Sequence, residues 1–146
     1  RTIVVLVAGW YHTCALFAQG SVACWGWNAY GQLGTGDTVN VGDGPGEMGD
    51  SLRTVKLQVE KAVAIAAGGD HTCALLSGGS VACWGWNPYG QLGVGSTTSS
   101  NTSQMVNLGP GRSAVAVRMG WGHTCALLAG GSVVCWGRND RGQLGI

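Results

Sequence analysis

Charge is scarce in this chain. Lys, Arg, Asp and Glu make up 10% of its 146 residues, eight cations against seven acids, where a typical soluble protein holds about 25%. The cations are scattered, so no basic stripe exists to neutralise a row of phosphates, which argues against nucleic acid as a partner. Long apolar runs are missing too. No stretch approaches the roughly 18 residues of a membrane-spanning helix, so no membrane span is expected. The opening RTIVVLVAGW sets a cation before an apolar run, but Ile3 to Ala8 is shorter than the roughly 7 to 15 residues of a secretory h-region. KAVAIAAGG and RSAVAVRMG hold the same place further along, so the opening reads as a repeat element. The initiator Met is also absent, which suggests a processed or partial chain.

What is plentiful is glycine, with 27 residues, beside 45% hydrophobics, seven Trp and six Cys. A surface with so few charges is either unusually neutral or covered by something else. The same fifteen residues are written three times: HTCALFAQGSVACWG from His12, HTCALLSGGSVACWG from His71 and HTCALLAGGSVVCWG from His123. The His residues lie 59 and 52 positions apart, a period of the kind found in repeat architectures built from one supersecondary unit each.

Each unit reads as a small antiparallel sheet. AVAIAAGG is a short β-branched run closed by glycines, and HTCALL and SVACWGW flank a turn of three residues. TVKLQV (Thr54 to Val59) and MVNL (Met105 to Leu108) are expected to supply a fourth strand. Cys73, Ala74, Leu75 and Leu76 are apolar without alternation, which predicts sheets covered on both faces and therefore stacked. The expected fold is all-β: tandem four-stranded antiparallel blades, three repeats of a β-propeller or blade stack. The expected boundaries are a first blade over about 1–34, a linker 35–52, a second blade 53–93, a linker 94–104 and a third blade 105–146.

The succession Gly-x-x-His-Thr-Cys-Ala-Leu, Cys-Trp-Gly, Gly-Gln-Leu-Gly (Gly31–Gly34, Gly90–Gly93, Gly142–Gly145) resembles the regulator of chromosome condensation repeat over nearly the whole chain. The resemblance implies one propeller blade per repeat, seven in the familiar closed form, and it allows exchange-factor-like or inhibitor-like protein binding. The paired cysteines and the linker GDTVNVGDGPGEMGDSL are most similar to secreted members. Two features depart from the nuclear exchange factor that names the family: the presence of only three repeats, and the cysteines themselves.

Cys14 and Cys24, Cys73 and Cys83, and Cys125 and Cys135 straddle their turns symmetrically. A three-residue loop with Gly last makes each pair direct cross-strand partners, with Cα atoms about 4.5–5.5 Å apart and so within reach of a disulfide. Three such bridges are the expectation, each contributing a little under about 3 kcal/mol in the chain-entropy model, and they place the protein outside the cytosol. Buried free thiols and a metal site are the alternatives. The metal reading lacks a fourth ligand in every copy and the short Cys spacing of structural zinc, so neither metal nor cofactor is expected.

His12, His71 and His123 recur at one repeat position, which suits packing and hydrogen bonding better than catalysis, since catalysis needs different residues converging on one pocket. No catalytic set can be nominated. His12 falls opposite Gly26, whose missing side chain is expected to make room for the imidazole, and Trp25, Trp84 and Trp136 are expected to fill space between blades. Trp27, Tyr30, Trp86 and Tyr89, with Trp10, Tyr11 and Trp121, are the candidate partner contacts, although inter-blade packing explains them too. Asp37, Asp43, Glu47 and Asp50 in the first linker lack the spacing of a calcium loop and read as solvated. Asn101-Thr102-Ser103 is an N-glycosylation acceptor, expected in a polar surface loop, so covalent glycans are expected. With no capping unit in view, an open run of three blades is expected to leave two outer faces bare. The leading expectation is a non-enzymatic extracellular scaffold whose copies or neighbouring repeats pack blade to blade into a larger propeller or filament. A module that binds a protein partner is the alternative.

Overall fold

A computed structural model describes residues 1–58 and 60–146. Three antiparallel sheets follow one another along the chain. The first holds β1 (Ile3–Ala8), β2 (His12–Phe17) and β3 (Val22–Gly26) in that order. The second holds β4 (Ala62–Ala67), β5 (His71–Leu76), β6 (Val81–Gly85) and β7 (Ser100–Met105). The third holds β8 (Ala114–Met119), β9 (His123–Leu128) and β10 (Val133–Gly137).

The hairpins form as their sequences dictate. In β5–β6 the Gly79 amide donates to the Leu76 carbonyl at 2.9 Å, closing a turn over Ser77-Gly78-Gly79. Gly79 sits at φ +88°, as do its counterparts Gly20 at +91° and Gly131 at +93°, in a region side chains other than Gly rarely occupy. The turn sets the register, so Cys73 faces Cys83, and Cys14–Cys24 and Cys125–Cys135 repeat the pairing. All three pairs are disulfides with Cα atoms 4.1 Å apart.

The sheets stack face to face. Cys14, Leu16, Val22 and Cys24 of the first sheet meet Ala74, Leu76, Ala82 and Trp84 of the second. The opposite face of the second sheet, with Cys73, Leu75, Val81 and Cys83, meets Ala114, Val117, Ala126 and Leu128 of the third. Among the described residues, only the middle sheet lies between two other sheets, and every residue of β5 and β6 is buried. In β9 burial alternates instead, because one face of the third sheet has no neighbour: Val133 is 60% and Leu127 39% exposed.

Three expectations are corrected. The fourth strand does not lead the next sheet. Residues 100–104, placed in a linker, and Met105, placed at the start of the third blade, form β7 and close the second sheet by pairing with β6. Only Met105 of the expected MVNL strand belongs to it. Its sequence, SNTSQM, is polar because the strand lies at the sheet's edge, so it carries no apolar signature. In the first sheet, Thr54 makes a single bridge to Ala23, and Val59, the end of the expected TVKLQV strand, lies outside the described residues. Second, the outer face of the first sheet is partly covered by the chain itself. Leu52 packs on Ala15, Phe17 and Ala23, and the Arg1 guanidinium donates to the Leu52 and Gly49 carbonyls and lies 4.9 Å from the Phe17 ring centre. Third, the His12 imidazole does not sit over Gly26, although the two are register partners. A Cβ on Gly9 would fall 2.3 Å from its Cε1, and Gly68 and Gly120 stand in the same relation to His71 and His123. The glycine three residues before each His makes the room.

Candidate functional site

Two constructions repeat from unit to unit: the junction between neighbouring sheets, and an aromatic rim along one edge of the stack.

At the first junction His12 Nε2 lies 2.9 Å from Thr72 Oγ1, and that hydroxyl donates to the Gln32 carbonyl at 2.9 Å. The Trp84 indole N–H donates to the same carbonyl, also at 2.9 Å. Because the Thr72 proton is committed to Gln32, His12 must donate from Nε2, which fixes the neutral Nε2–H tautomer. The second junction copies the first: His71 to Thr124 at 3.0 Å, Thr124 to the Gln91 carbonyl at 2.8 Å, and Trp136 to the same carbonyl at 2.9 Å. Burial pushes the His12 imidazole down to about 4 and that of His71 to about 3, the latter helped by its His neighbours. Both rings are neutral at physiological pH. This is a structural relay with no reacting group.

The Gly-Gln-Leu-Gly turn is the seat for the next unit's indole. A Cβ on Gly34 would lie 2.8 Å from Trp84 Nε1, and one on Gly93 2.6 Å from Trp136 Nε1. Asn28 builds the turn from beneath. Its Nδ2 donates to the Asp37 and Val39 carbonyls, and its Oδ1 accepts from the Leu33 amide. Asn87 does the same work with Ser96, Thr98 and Leu92. Trp84 is wholly buried, whereas Trp25 and Trp136 are half-buried, so the inter-blade role expected of this position is full only for Trp84.

The rim gathers every aromatic outside that position except Phe17. Tyr11, Trp27, Tyr30, Trp86 and Tyr89 follow one another with ring centres 5.3–5.9 Å apart, and Trp121 joins Trp86, Tyr89 and Trp10. Edge-to-face and tilted contacts of this kind add roughly 0.5–1.5 kcal/mol each beyond area burial. The four candidates Trp27, Tyr30, Trp86 and Tyr89 are thus contiguous. Two rim residues had gone unnoticed in the sequence. Arg138 holds the repeat position of Trp27 and Trp86; its guanidinium lies 4.6 Å from the Trp121 ring centre and donates to Asp140 at 2.7 Å. Asp70 holds the position of Tyr11 and Gly122, and its backbone carbonyl accepts from the Trp86 amide. It is 8% exposed, and its Oδ1 is buried without a hydrogen-bond partner among the described residues. Burial raises its pKa.

Other expected sites fall elsewhere. Asn101 lies in β7, not in a loop; its backbone carbonyl accepts from the Gly36 amide, and its Cα would be 2.4 Å from a Cβ on Gly31. With Tyr30 and Ser100 it lines a 290 Å³ cleft. The linker carboxylates fold their own loop. Asp37 pairs with Arg53 at 2.9 Å, and Glu47 accepts from the Gly42 and Gly44 amides.

Sheets stacked face to face, each donating a turn to seat its neighbour's indole, define blades of a β-propeller. The chain belongs to the regulator of chromosome condensation (RCC1) repeat family, whose repeat profiles match residues 3–32, 62–91 and 114–143, and also 19–75 and 78–127. Among curated proteins it is 36% identical over 145 residues to the Ultraviolet-B receptor UVR8 of Arabidopsis thaliana, covering 97% of this chain and 31% of the receptor. It is 35% identical over 143 residues to the probable E3 ubiquitin-protein ligase HERC4 of Homo sapiens, covering 98% of this chain and 13% of the ligase. Among solved structures, Prp20p of Saccharomyces cerevisiae, described with its binding to Gsp1p and histones, superposes with a TM-score of 0.79 at 27% identity. That match covers 99% of this chain and 34% of Prp20p. The chain therefore spans about a third or less of the length of these relatives. Among the described residues, no helix is long and apolar enough to cross a membrane.

Proposed function

We propose that the chain is a non-catalytic, protein-binding part of a propeller and that its aromatic rim is the surface that meets the partner. The carrying observation is the unbroken run of rings from Tyr11 to Trp121, in which Tyr30 and Tyr89 keep about two-fifths of their surface exposed. Tyr, Trp and Arg are the residues that dominate binding energy at protein interfaces, and Arg138 adds a guanidinium to the rim beside Trp121 and Tyr89. Prp20p, the neighbour described as binding Gsp1p and histones, supports an exchange-factor-like partner. The ligase named above is a far longer protein, and no ligase activity is proposed for these repeats. Titration calorimetry with purified Gsp1p and with core histones tests the reading. Binding that weakens at least about tenfold in Trp86→Ala and Tyr30→Ala supports it. Absence of binding to both, or binding indifferent to the rim, overturns it.

A second reading, the extracellular scaffold assembled blade to blade, is favoured by one observation: the third sheet turns an apolar face, with Leu127 and Val133, to solvent. The three disulfides support a place outside the reducing cytosol. In a secreted eukaryotic chain Asn101 is the proposed attachment point for a glycan beside Tyr30. Intact mass of the protein secreted from eukaryotic cells, before and after glycosidase, checks both proposals.

A further inference from the structure

The rim holds its rings in place through the backbone. The Trp27 amide donates to the Tyr11 carbonyl at 2.8 Å and the Trp86 amide to the Asp70 carbonyl at 2.9 Å, so each indole is tied to the residue that precedes β2 or β5. Each tyrosine is tied to a buried glutamine: the Tyr30 amide donates to Gln32 Oε1 at 3.0 Å and the Tyr89 amide to Gln91 Oε1 at 2.9 Å. Every unit of the first two therefore presents one crossed pair, Trp27 with Tyr30 at 79° and Trp86 with Tyr89 at 90°. Tyr30 links the pairs by lying 5.7 Å from Trp86. Crossed rings enclose a notch instead of offering a flat face.

The hydrogen-bonding chemistry of this row is one-sided. An indole N–H can only donate, and a phenol O–H donates readily. The indoles of Trp84 and Trp136 spend their N–H on main-chain carbonyls at the junctions. Among the described residues, the indoles of Trp27 and Trp86 and the hydroxyls of Tyr30 and Tyr89 hold no such partner, and both tyrosines are exposed. The four backbone amides of the row are already bonded, which leaves no edge for an added β-strand. An α-helix keeps its carbonyls bonded internally, so it cannot use the free donors. The ionised neighbours Arg138 and Asp140 pair with each other at 2.7 Å, so charge complementarity selects an uncharged ligand.

A proline-rich segment complements these properties. Each proline brings a carbonyl and no N–H, and polyproline II has no internal hydrogen bonds, so its carbonyls stand free. One turn of three residues advances about 9 Å, within the two ring steps of 5.3 and 5.7 Å that lead from Trp27 to Trp86. We propose that the rim binds an uncharged, proline-rich segment of a partner protein in the polyproline II form. Its pyrrolidine rings enter the Trp27–Tyr30 and Trp86–Tyr89 notches, and its carbonyls accept from the indoles and phenols. Notches lined by aromatic rings are a general means of recognising this helix. Both partners are stiff before they meet, which lowers the ordering cost of association. The inference rests on the rim reading and deepens it by naming the class of ligand.

The test is calorimetric titration of the 146-residue chain with acetylated and amidated decaproline, beside a Gly-Ser peptide of equal length. Saturable binding of decaproline with a micromolar Kd is expected, and none of the Gly-Ser peptide. Trp86→Ala removes one wall of the second notch and is expected to weaken binding about tenfold or more. Tyr30→Phe with Tyr89→Phe keeps both rings and removes only two hydroxyls that hold nothing in the fold, so it keeps the test valid if Trp86→Ala unfolds; a weakening of about fivefold is expected. Decaproline that fails to bind up to about 1 mM, while Gsp1p or histones bind through the rim, overturns this inference and leaves the rim reading standing. Failure of all three ligands to bind overturns both. Decaproline bound at wild-type strength by both variants overturns the inference alone, since the peptide then uses another surface.

Discussion

The indole N–H of Trp84 and the hydroxyl of Thr72 converge on one backbone oxygen, that of Gln32, each at 2.9 Å. A turn that ends the first unit is thereby tied to two strands of the second, and the second unit treats the third in the same way.

Removing the hydroxyl from that arrangement leaves buried partners unsatisfied. Thr72→Val is expected to cost about 1–3 kcal/mol, read from urea unfolding. Thr13→Val, at the same repeat position on the outer face, is expected to change stability by under about 0.5 kcal/mol in the monomer.

The seat beneath each indole separates steric cost from backbone cost. Gly93 has φ +70° and Trp136 pressed against it, whereas Gly145 has φ +71° and open space. Gly145→Ala is expected to cost about 1–2 kcal/mol for the left-handed backbone. Gly93→Ala pays that strain and must also displace the ring, so a larger loss is expected on thermal or urea melting.

Disulfide accessibility follows the stacking. Cys14–Cys24 and Cys73–Cys83 are fully buried between sheets, and Cys125–Cys135 is half-buried on the free face. Under a mild reductant without denaturant, Cys125 and Cys135 are expected to be alkylated first. Peptide mass spectrometry over time reads the order, and uniform labelling of all six would contradict the stacking.

Acid weakens the junctions in a defined direction. His12 and His71 titrate at about 4 and about 3 in the folded chain against about 6.5 when unfolded. Below about 6.5 the unfolded chain takes up protons that the folded one refuses. The stabilisation is therefore full above that value and is lost as pH falls through the window down to about 3. Urea midpoints are expected to drop from pH 7 to pH 4, and His71→Gln is expected to flatten that slope while lowering stability at pH 7. Asp70, whose pKa is raised by burial, acts in the opposite sense near its own titration and blunts the fall.

Local features were legible in the sequence, and long-range ones less so. Hairpin register and cysteine pairing depend on a three-residue loop and on strand geometry, so Ser77-Gly78-Gly79 was enough to place Cys73 against Cys83. β7 escaped because an edge strand with a wet face needs no apolar pattern; Ser103, its one buried residue, is held by a hydroxyl bond to the Lys56 carbonyl at 2.6 Å. The junction escaped because its acceptor is a main-chain oxygen, which any residue supplies. The rim was partly visible: its aromatics stood out by repetition, whereas Arg138 and Asp70 mattered by breaking the repeat.

The order of the parts along the chain carries a consequence for biosynthesis. Gln32 and Gly34 precede Trp84, and Gln91 and Gly93 precede Trp136, so each indole leaves the ribosome after the pocket that receives it has been made. Growth of the nascent polypeptide and completion of its interior then advance in the same direction, one unit at a time.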